Sequence, residues 1–429
     1  MNEYDTQLAT GLLVQQGYQL TPDETQADAI IFNTCSVREH AEDRVFGQLG
    51  SFSHQKKVDG RRLILGVMGC MTENYKGDLF NRFPELDFIV GTRNVKDVPR
   101  VLNRVMEGER RVTALDQEGV GIEYSEFTKH NSPVHVWLPI MTGCDKVCTF
   151  CIVPKTRGVE VSKPAREVIA EVKRLASLGY KAVTLLGQNV NSYGKDFSNS
   201  GAEAITFPRL LARLAEIDGI EMIAFTTSHP SDAVPELFDV IRKNPKITRR
   251  FHLPLQSGSD KILRRMKRLH TLDEYRAKVD RLRETVPGVS MTTDIIVGFP
   301  GETNEDFELT RKALEDIKYD SAFIYKYSLR PGTPAETLAD DVPLSEKKRR
   351  NSELLDLQDR ISDFKNQSLI GTVHRGIVEK ENARVPGEIV LRTWTDKKII
   401  ISGTASDRGK VMTARITKLV NETFFGERV

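Results

Sequence analysis

The chain has 429 residues, 39% of them hydrophobic and 28% charged, with a formal net charge of +2. That length exceeds one ordinary core and implies two or three domains, and the composition is that of a soluble globular protein. No apolar run approaches the ~20 residues of a membrane span, and the start MNEYDTQLAT lacks both the basic and the apolar part of a signal peptide, so the expected location is the cytoplasm.

From Met1 to about Gly108 the pattern alternates amphipathic helices with short apolar runs. Helices are expected near Glu3 to Gln16, from Arg38, over Tyr75 to Arg82 and over Val95 to Met106. Strands are expected at Ala29 to Asn33, Leu63 to Val67 and Leu86 to Val90. Continuous apolar strands separated by such helices imply a parallel sheet covered on both faces, a small doubly wound α/β domain. Cys35 and Cys70 each follow one of these strands, in NTCS and MGCM. Parallel strands end at a common edge, where open α/β sheets bind ligands, so the two thiols are placed to meet there; a buried free cysteine is equally often a small hydrophobe. Residues from about Glu109 to Pro133 lack periodicity and read as a linker.

Six further strand-like runs follow, at Trp137 to Met141, Ala182 to Leu186, Met222 to Thr226, Phe251 to Leu255, Met291 to Val297 and Ala322 to Tyr327. Amphipathic helices separate most of them, which predicts an open, partial (β/α)6 barrel, since eight units would need more chain. Directly after the first run comes Gly143-Cys144-Asp145-Lys146-Val147-Cys148-Thr149-Phe150-Cys151. Five cysteines, an odd number, in a large cytosolic protein argue for ligation or catalysis over disulfides. Three close thiolates without a fourth partner fit poorly with closed tetrahedral zinc. They suit an iron–sulfur cluster, with one iron left open for substrate or cofactor. A zinc knuckle completed from a distance and three unconnected buried thiols remain as alternatives. Gly187-Gln188-Asn189, Ser228-His229, Gln256-Ser257 and Gly298 with Glu302 follow the next four runs, so five polar segments share the carboxyl face on which barrel enzymes build their sites. His229 and His252 read as structural.

From Arg242 to Arg268 there are ten lysines and arginines with few acids, a pattern of a solvated helix face or of an RNA-backbone contact. Pro343 to about Gln367 reads as one long helix with Leu354, Leu357, Ile361 and Phe364 as its buried stripe. Short runs at Gly387 to Leu391, Lys398 to Ser402 and Val411 to Leu419 then suggest a small C-terminal β-barrel. The expected domains are 1–108, 130–366 and 367–429.

The spacing of Cys144, Cys148 and Cys151 is that of radical S-adenosylmethionine (SAM) enzymes. Together, GCDKVCTFCIVPKTRG, LLGQNVNSYG at 185–194, TSHP at 227–230, HLPLQSGSD at 252–260 and IIVGFPGET at 295–303 closely resemble the MiaB-type tRNA methylthiotransferases, over essentially the whole chain. The resemblance implies two [4Fe–4S] clusters and SAM. One cluster, on Cys144, Cys148 and Cys151, binds SAM and yields a 5′-deoxyadenosyl radical that removes hydrogen from C2 of an isopentenylated adenosine beside the anticodon. An auxiliary cluster, with Cys35 and Cys70 among its ligands, is then the source of a methylated sulfur. Phe150 is expected against the SAM adenine, and Gln188, Asn189, Ser228, Gln256, Ser257 and Gly298 are expected cofactor contacts.

The resemblance also implies a TRAM-like RNA-binding C-terminal domain, the tRNA anticodon stem-loop as partner, an electron donor such as flavodoxin or ferredoxin, and a monomer. The family's first auxiliary cysteine lies just upstream of a segment like MNEYDT, which leaves two readings: a true start before Met1, the one expected here, or an incomplete auxiliary site. Two sister branches act on a ribosomal protein or on threonylcarbamoyladenosine, and LLGQNVNSYG and CIVPKTRG resemble the isopentenyladenosine branch more closely. A non-catalytic, metal-stabilised RNA-binding protein is the reading from another class.

Overall fold

The computed structural model describes residues 1–34, 39–58, 62–115, 122, 124–199 and 205–429. In the N-terminal part, four parallel strands, β1 (Ala29–Thr34), β2 (Ile64–Gly69), β3 (Phe88–Val90) and β4 (Val112–Ala114), lie side by side in that order. Alternate side chains leave opposite faces of a strand. Met68, Phe88 and Val90 therefore pack with α1 (Asn2–Gln15) and α5 (Val98–Met106). Leu65, Val67 and Ile89 pack on the other face, beneath α2 (Glu39–Val58), α3 (Cys70–Tyr75) and α4 (Asp78–Arg82). The doubly wound domain is present, with two corrections. β4 lies within the stretch read as linker, because a three-residue strand shows no period of its own. The helix expected over 75–82 is two helices, since Lys76 takes a positive φ of 47°, and the first of them opens at Cys70 itself. The remaining linker folds back on α1, where Lys129 N–H donates to Gln7 O at 3.1 Å.

The middle of the chain holds β5 (His135–Pro139), a short antiparallel pair β6 (Met141–Thr142) and β7 (Val161–Ser162), then β8 (Ala182–Leu186), β9 (Met222–Phe225), β10 (Arg250–His252), β11 (Ser290–Val297) and β12 (Ser321–Lys326). The order β5-β8-β9 and the order β10-β11-β12 form two parallel three-stranded sheets, joined through a bridge from Ile223 to Ile247. β5 and β12 are left as the outer edges, so the barrel is open. Its outer face packs on α7 (Ala165–Ser177), α8 (Phe207–Ala215), α9 (Pro235–Lys243), α11 (Leu272–Thr285) and α12 (Asn304–Ile317) through residues such as Val172, Leu211, Phe238, Leu282 and Leu314. Two short helices, α6 (Val153–Arg157) and α10 (Asp260–Arg265), follow the strand tips. Strand alternation turns Trp137, Thr184, Ala224, Arg250, His252, Thr292 and Asp294 into the lumen.

Helix α13 (Leu344–Gln367) runs along β12 with Leu354 and Leu357 buried. Phe364, expected in the same stripe, is 74% exposed, although its neighbours Ser362 and Lys365 still hydrogen-bond to Asp320, just before β12. The C-terminal domain is a closed barrel of β13 (Val373–Glu381), β14 (Glu388–Thr393), β15 (Lys398–Ser402), β17 (Thr423–Arg428) and β16 (Val411–Val420). β13 and β17 add to the three runs expected there. This domain packs beneath β5, β8 and β9, where Val134, Ala182 and Met222 share a core with Ile377 and Trp394. No helix of the described residues is long and apolar enough to cross a membrane.

Candidate active site

A loop that carries three thiols must be held by its own backbone. Gly143 starts it with φ of 77°, and a Cβ there would lie 1.8 Å from Val159 O, so only glycine fits. Cys144 N–H donates to Gly158 O at 3.0 Å, which closes the loop base. The tip is fastened across the barrel: Thr149 N–H donates to Met266 O at 3.0 Å, Thr149 Oγ1 to Arg265 O at 3.0 Å, and Ala335 N–H to Thr149 O at 2.8 Å. Cys151 N–H donates to Cys148 O at 3.1 Å. Phe150 is half-buried against Ile262, Met266, Phe299, Tyr327 and Ala335.

Electrostatics mark this loop as a place that calls for positive charge. Burial pushes the Cys144 thiol up to about 12, with Cys151 and Cys148 adding to the rise. Burial pushes Cys151 up to about 11, and Cys148 again adds to it. Each thiolate thus disfavours the next, which a bound cationic centre reverses. Among the described residues no three His, Cys, Asp or Glu side chains already close on one metal position, so the thiols are neighbours within each other's field rather than a closed set.

One cation is already present, since the buried Arg268 sits with Nη1 3.4 Å from Cys148 Sγ and its Nη2 donates to Pro254 O at 2.9 Å. His229 Nε2 lies 4.0 Å from the same sulfur. Burial, with Arg268 and Lys146 beside it, pushes His229 down to about 2, so its ring is neutral. Behind it, Asn189 Oδ1 accepts from His229 N–H at 3.0 Å while Asn189 Nδ2 donates to Asp232 at 2.6 Å. Asp232 also pairs with Lys146 at 2.8 Å and Lys195 at 2.6 Å. Burial opposes ionisation of Asp232, but the Lys146, Lys195 and Asn189 donors hold it down at about 2. The cysteine loop and the segment after β8 are therefore one network.

Expected contact residues fall into two groups. Gln188 Oε1, Ser228 Oγ, Gln256 Oε1 and Arg268 Nε are buried without a hydrogen-bond partner among the described residues, as are both ring nitrogens of His270. Buried polar atoms are normally paired, so such a set around one loop is what a polar ligand would satisfy. Gln256 and Thr227 also hold positive φ, 73° and 62°, at two strand tips. By contrast, Asn189 has both amide ends engaged within the chain. Ser257 Oγ meets Thr310 Oγ1 at 3.2 Å, and Gly298 N–H donates to Glu302 at 2.8 Å, so these build the scaffold.

Arg268 and His270 carry no sequence signal for this site; a basic run gives no sign that one arginine turns inward. The run itself is dispersed: Lys246 donates to Ile217 O, Arg250 pairs with Asp396, Lys261 with Asp306, and Arg265 donates to Pro300 O. These four members are engaged within the chain.

Residues 138–314 match the Radical SAM superfamily, and residues 1–91 match Uncharacterized protein family UPF0004. The tRNA-2-methylthio-N(6)-dimethylallyladenosine synthase of Carboxydothermus hydrogenoformans is 42% identical over 97% of this chain and 94% of its own length. That of Thermoanaerobacter pseudethanolicus is 40% identical over 100% of this chain and 90% of its own. The chain belongs to the MiaB-type tRNA methylthiotransferase family. Its fold is shared more distantly by the radical SAM methyltransferase TsrM of Kitasatospora setae, at a TM-score of 0.54 and 15% identity over 77% of this chain and 70% of that one.

In this methylthiotransferase the donor set on the carboxyl face suits a [4Fe–4S] cluster and SAM: three thiols on one fastened loop, a compensating guanidinium, and unpartnered polar atoms beside them. The N-terminal site offers fewer donors. Cys70 is buried at the start of α3, and β1 ends at Thr34 opposite Gly69. Cys35 lies outside the described residues. With Cys144, Cys148 and Cys151 assigned to the barrel, two cysteines of the five remain.

The cysteine loop and the N-terminal domain meet through Arg157, which ends α6, six residues after Cys151. Its buried guanidinium donates to Asp5 at 2.8 Å and to Asn2 Oδ1 at 3.1 Å. Burial disfavours its charge, but Asp5 and Cys70 together hold it firmly protonated. Thr92 Oγ1 donates to Thr156 O at 2.8 Å alongside. Nothing in the sequence pairs positions 5 and 157; only the docking of the two domains does.

Proposed function

We propose that this chain methylthiolates C2 of N6-dimethylallyladenosine in tRNA, with Cys144, Cys148 and Cys151 as the ligands of the SAM-binding cluster. The observation that carries this is the convergence, on one fastened loop, of three thiols, of which Cys144 and Cys151 are pushed up by burial and by neighbouring thiols, and a set of buried polar atoms left without partners. When bound there, a [4Fe–4S] cluster with SAM supplies the one-electron chemistry that opens an unactivated C–H bond.

The chain's own residues do the rest. Arg268 offsets thiolate charge at Cys148, and neutral His229 adds none. Asn189, Asp232 and Lys146 keep the loop in place, so the donors need no rearrangement to receive a ligand. Gln188, Ser228, Gln256 and His270 offer hydrogen bonds to its polar groups, and Phe150 offers a ring edge. The apolar packing of Ile262, Met266, Phe299 and Tyr327 behind Phe150 helps keep water, which would quench a radical, away from the loop. In an RNA loop the reacting base must leave its stack to reach such a site.

Residues 1–108 form the domain to which we assign a second cluster, with Cys35 and Cys70 as two of its ligands, and residues 130–366 the catalytic domain. Residues 367–429 serve as an RNA-binding domain. A flavodoxin- or ferredoxin-like donor, a monomeric state and a cytoplasmic location complete the reading. Support comes from the names of relatives about 40% identical over the full chain.

Anaerobic reconstitution tests it. About four irons per chain are expected from the barrel site and about eight if the N-terminal site also fills. 5′-Deoxyadenosine should form on reduction with SAM, and both iron at the barrel site and SAM cleavage should be lost in Cys148→Ala. Zinc alone, or SAM cleavage that survives Cys148→Ala, refutes the assignment.

A further inference from the structure

Deep in the lumen, away from the cysteine loop, lies a cavity built by two domains. His135, Trp137, Thr184, Ala224 and Arg250 line it from the barrel, and Asp396 closes it from the hairpin between β14 and β15. Trp137 and His135 stand edge to face with centroids 4.8 Å apart, and His135 Nε2 meets Thr184 Oγ1 at 2.7 Å. The floor is fixed: Arg249 N–H donates to Trp394 O at 2.7 Å, and Trp394 is buried against the amino ends of β8 and β9.

Charge in this cavity is compensated throughout. Arg250 pairs with Asp396 at 2.6 Å, and Arg392 is held between Asp396 and Glu379. Two guanidinium groups thus face two carboxylates. Burial, with Arg392 nearby, pushes His135 down to about 4, so at neutral pH it adds no charge. The space therefore presents an aromatic wall and no unpaired cation to a guest.

Its depth suits a substituent rather than a reacting atom. Thr226 precedes Ser228 by two residues, Thr184 precedes Gln188 by four and Arg250 precedes Gln256 by six, so the cavity extends from roughly 7 to 20 Å below the strand tips at about 3.3 Å per residue. In adenine, C2 and the N6 substituent lie on different edges of the ring. A base with C2 turned to the cysteine loop directs its substituent toward the floor.

We propose that this two-domain cavity receives the uncharged, branched alkenyl group on N6 of the substrate adenosine and rejects a carboxylate-bearing substituent, which makes Trp137, Ala224 and Asp396 specificity-determining residues. This rests on the tRNA reading above and gives the C-terminal domain a part in the pocket besides any contact with RNA backbone.

The test measures binding of the reconstituted enzyme to three anticodon stem-loops that differ only in the target base: unmodified, N6-dimethylallyl and N6-threonylcarbamoyl. The dimethylallyl RNA should bind about 10- to 100-fold more tightly than the unmodified one, as burial of a small hydrocarbon group allows. Ala224→Leu, which fills the cavity, should bring that ratio near one without weakening the unmodified RNA. Trp137→Ala, which removes the aromatic wall, should lower the ratio as well. Asp396→Asn, which leaves a guanidinium uncompensated, should raise the relative affinity of the threonylcarbamoyl RNA. Thermal unfolding of each variant identifies any that fails to fold, and the remaining ones decide. A dimethylallyl preference that survives in folded Ala224→Leu and Trp137→Ala overturns the cavity assignment while leaving the tRNA reading intact. Equal binding of all three RNAs by the parent enzyme overturns it too, and failure to bind any RNA removes the tRNA reading itself.

Discussion

Replacing Arg157 by Met should loosen the N-terminal domain from the cysteine loop. The side chain is only 4% exposed, its partner Asp5 is 7% exposed, and they meet at 2.8 Å. Methionine keeps most of the aliphatic volume but leaves the Asp5 carboxylate buried without its cation, a change worth about 3–5 kcal/mol when one partner of a buried pair is removed. The loss falls on the contact between α1 and α6 rather than on either core, so the sensitive readout is local. Amide hydrogen exchange followed by mass spectrometry should accelerate by roughly two to three orders of magnitude in residues 2–15 and 153–157, while β8 and β11 stay protected. The double variant Asp5→Leu with Arg157→Met should recover part of the loss, since neither charge is then left alone. Unchanged exchange in α1, or a double variant worse than Arg157→Met, refutes the reasoning.

Three further expectations concern the site and its scaffold. Gly143→Ala should abolish iron incorporation on reconstitution, because its Cβ would fall 1.8 Å from Val159 O; Gly179→Ala, with φ of 92° but open space around it, should load iron normally at a cost of about 1 kcal/mol. Asn189→Ala leaves Asp232 and the His229 N–H each short of a partner, so denaturant titration should show a loss of about 2–3 kcal/mol. Acid stability should carry a signature of Asp306. Burial opposes its ionisation, but Lys261, Ser259 and Thr303 hold its carboxyl at about 2. A depressed carboxylate stabilises the fold above its ordinary value near 4 and loses that contribution as pH falls toward 2. The stability difference between the parent and Asp306→Asn should therefore shrink over that window, and an unchanged difference from pH 5 to pH 2 refutes this.

Elements with strong local signals are legible from the residues alone. The barrel strands are continuous apolar runs, and Cys144, Cys148 and Cys151 share so few residues that their proximity follows from the chain itself. Segments whose form depends on a neighbour are not legible in this way. β4 exists because β3 offers it an edge, and three residues carry no period. Phe364 keeps helical spacing from Leu357, yet spacing does not reveal that its side chain is left exposed while Ser362 and Lys365 hold the same turns to Asp320. Arg268 looks like one more member of a basic run, and Arg157 like the end of a short helix. Each takes its meaning from a partner more than a hundred residues away, Cys148 in one case and Asp5 in the other. Asn189 follows β8 on the carboxyl face, as its place in the chain implies, but whether its amide is free or engaged depends on Asp232, in a loop after a different strand.

An open barrel has a liability that a closed one lacks, because its two outer strands present unpaired backbone groups on which another copy of the chain could add a strand. Here the flanking segments guard them. Asn351 on α13 donates its side-chain amide to Ile324 O of β12 at 2.9 Å, and Tyr124 in the interdomain segment donates its hydroxyl to Pro139 O of β5 at 2.8 Å. The parts of the chain that join the barrel to its neighbours thus also cover its edges, and a barrel trimmed to residues 134–343 is expected to be the form most prone to edge-to-edge aggregation.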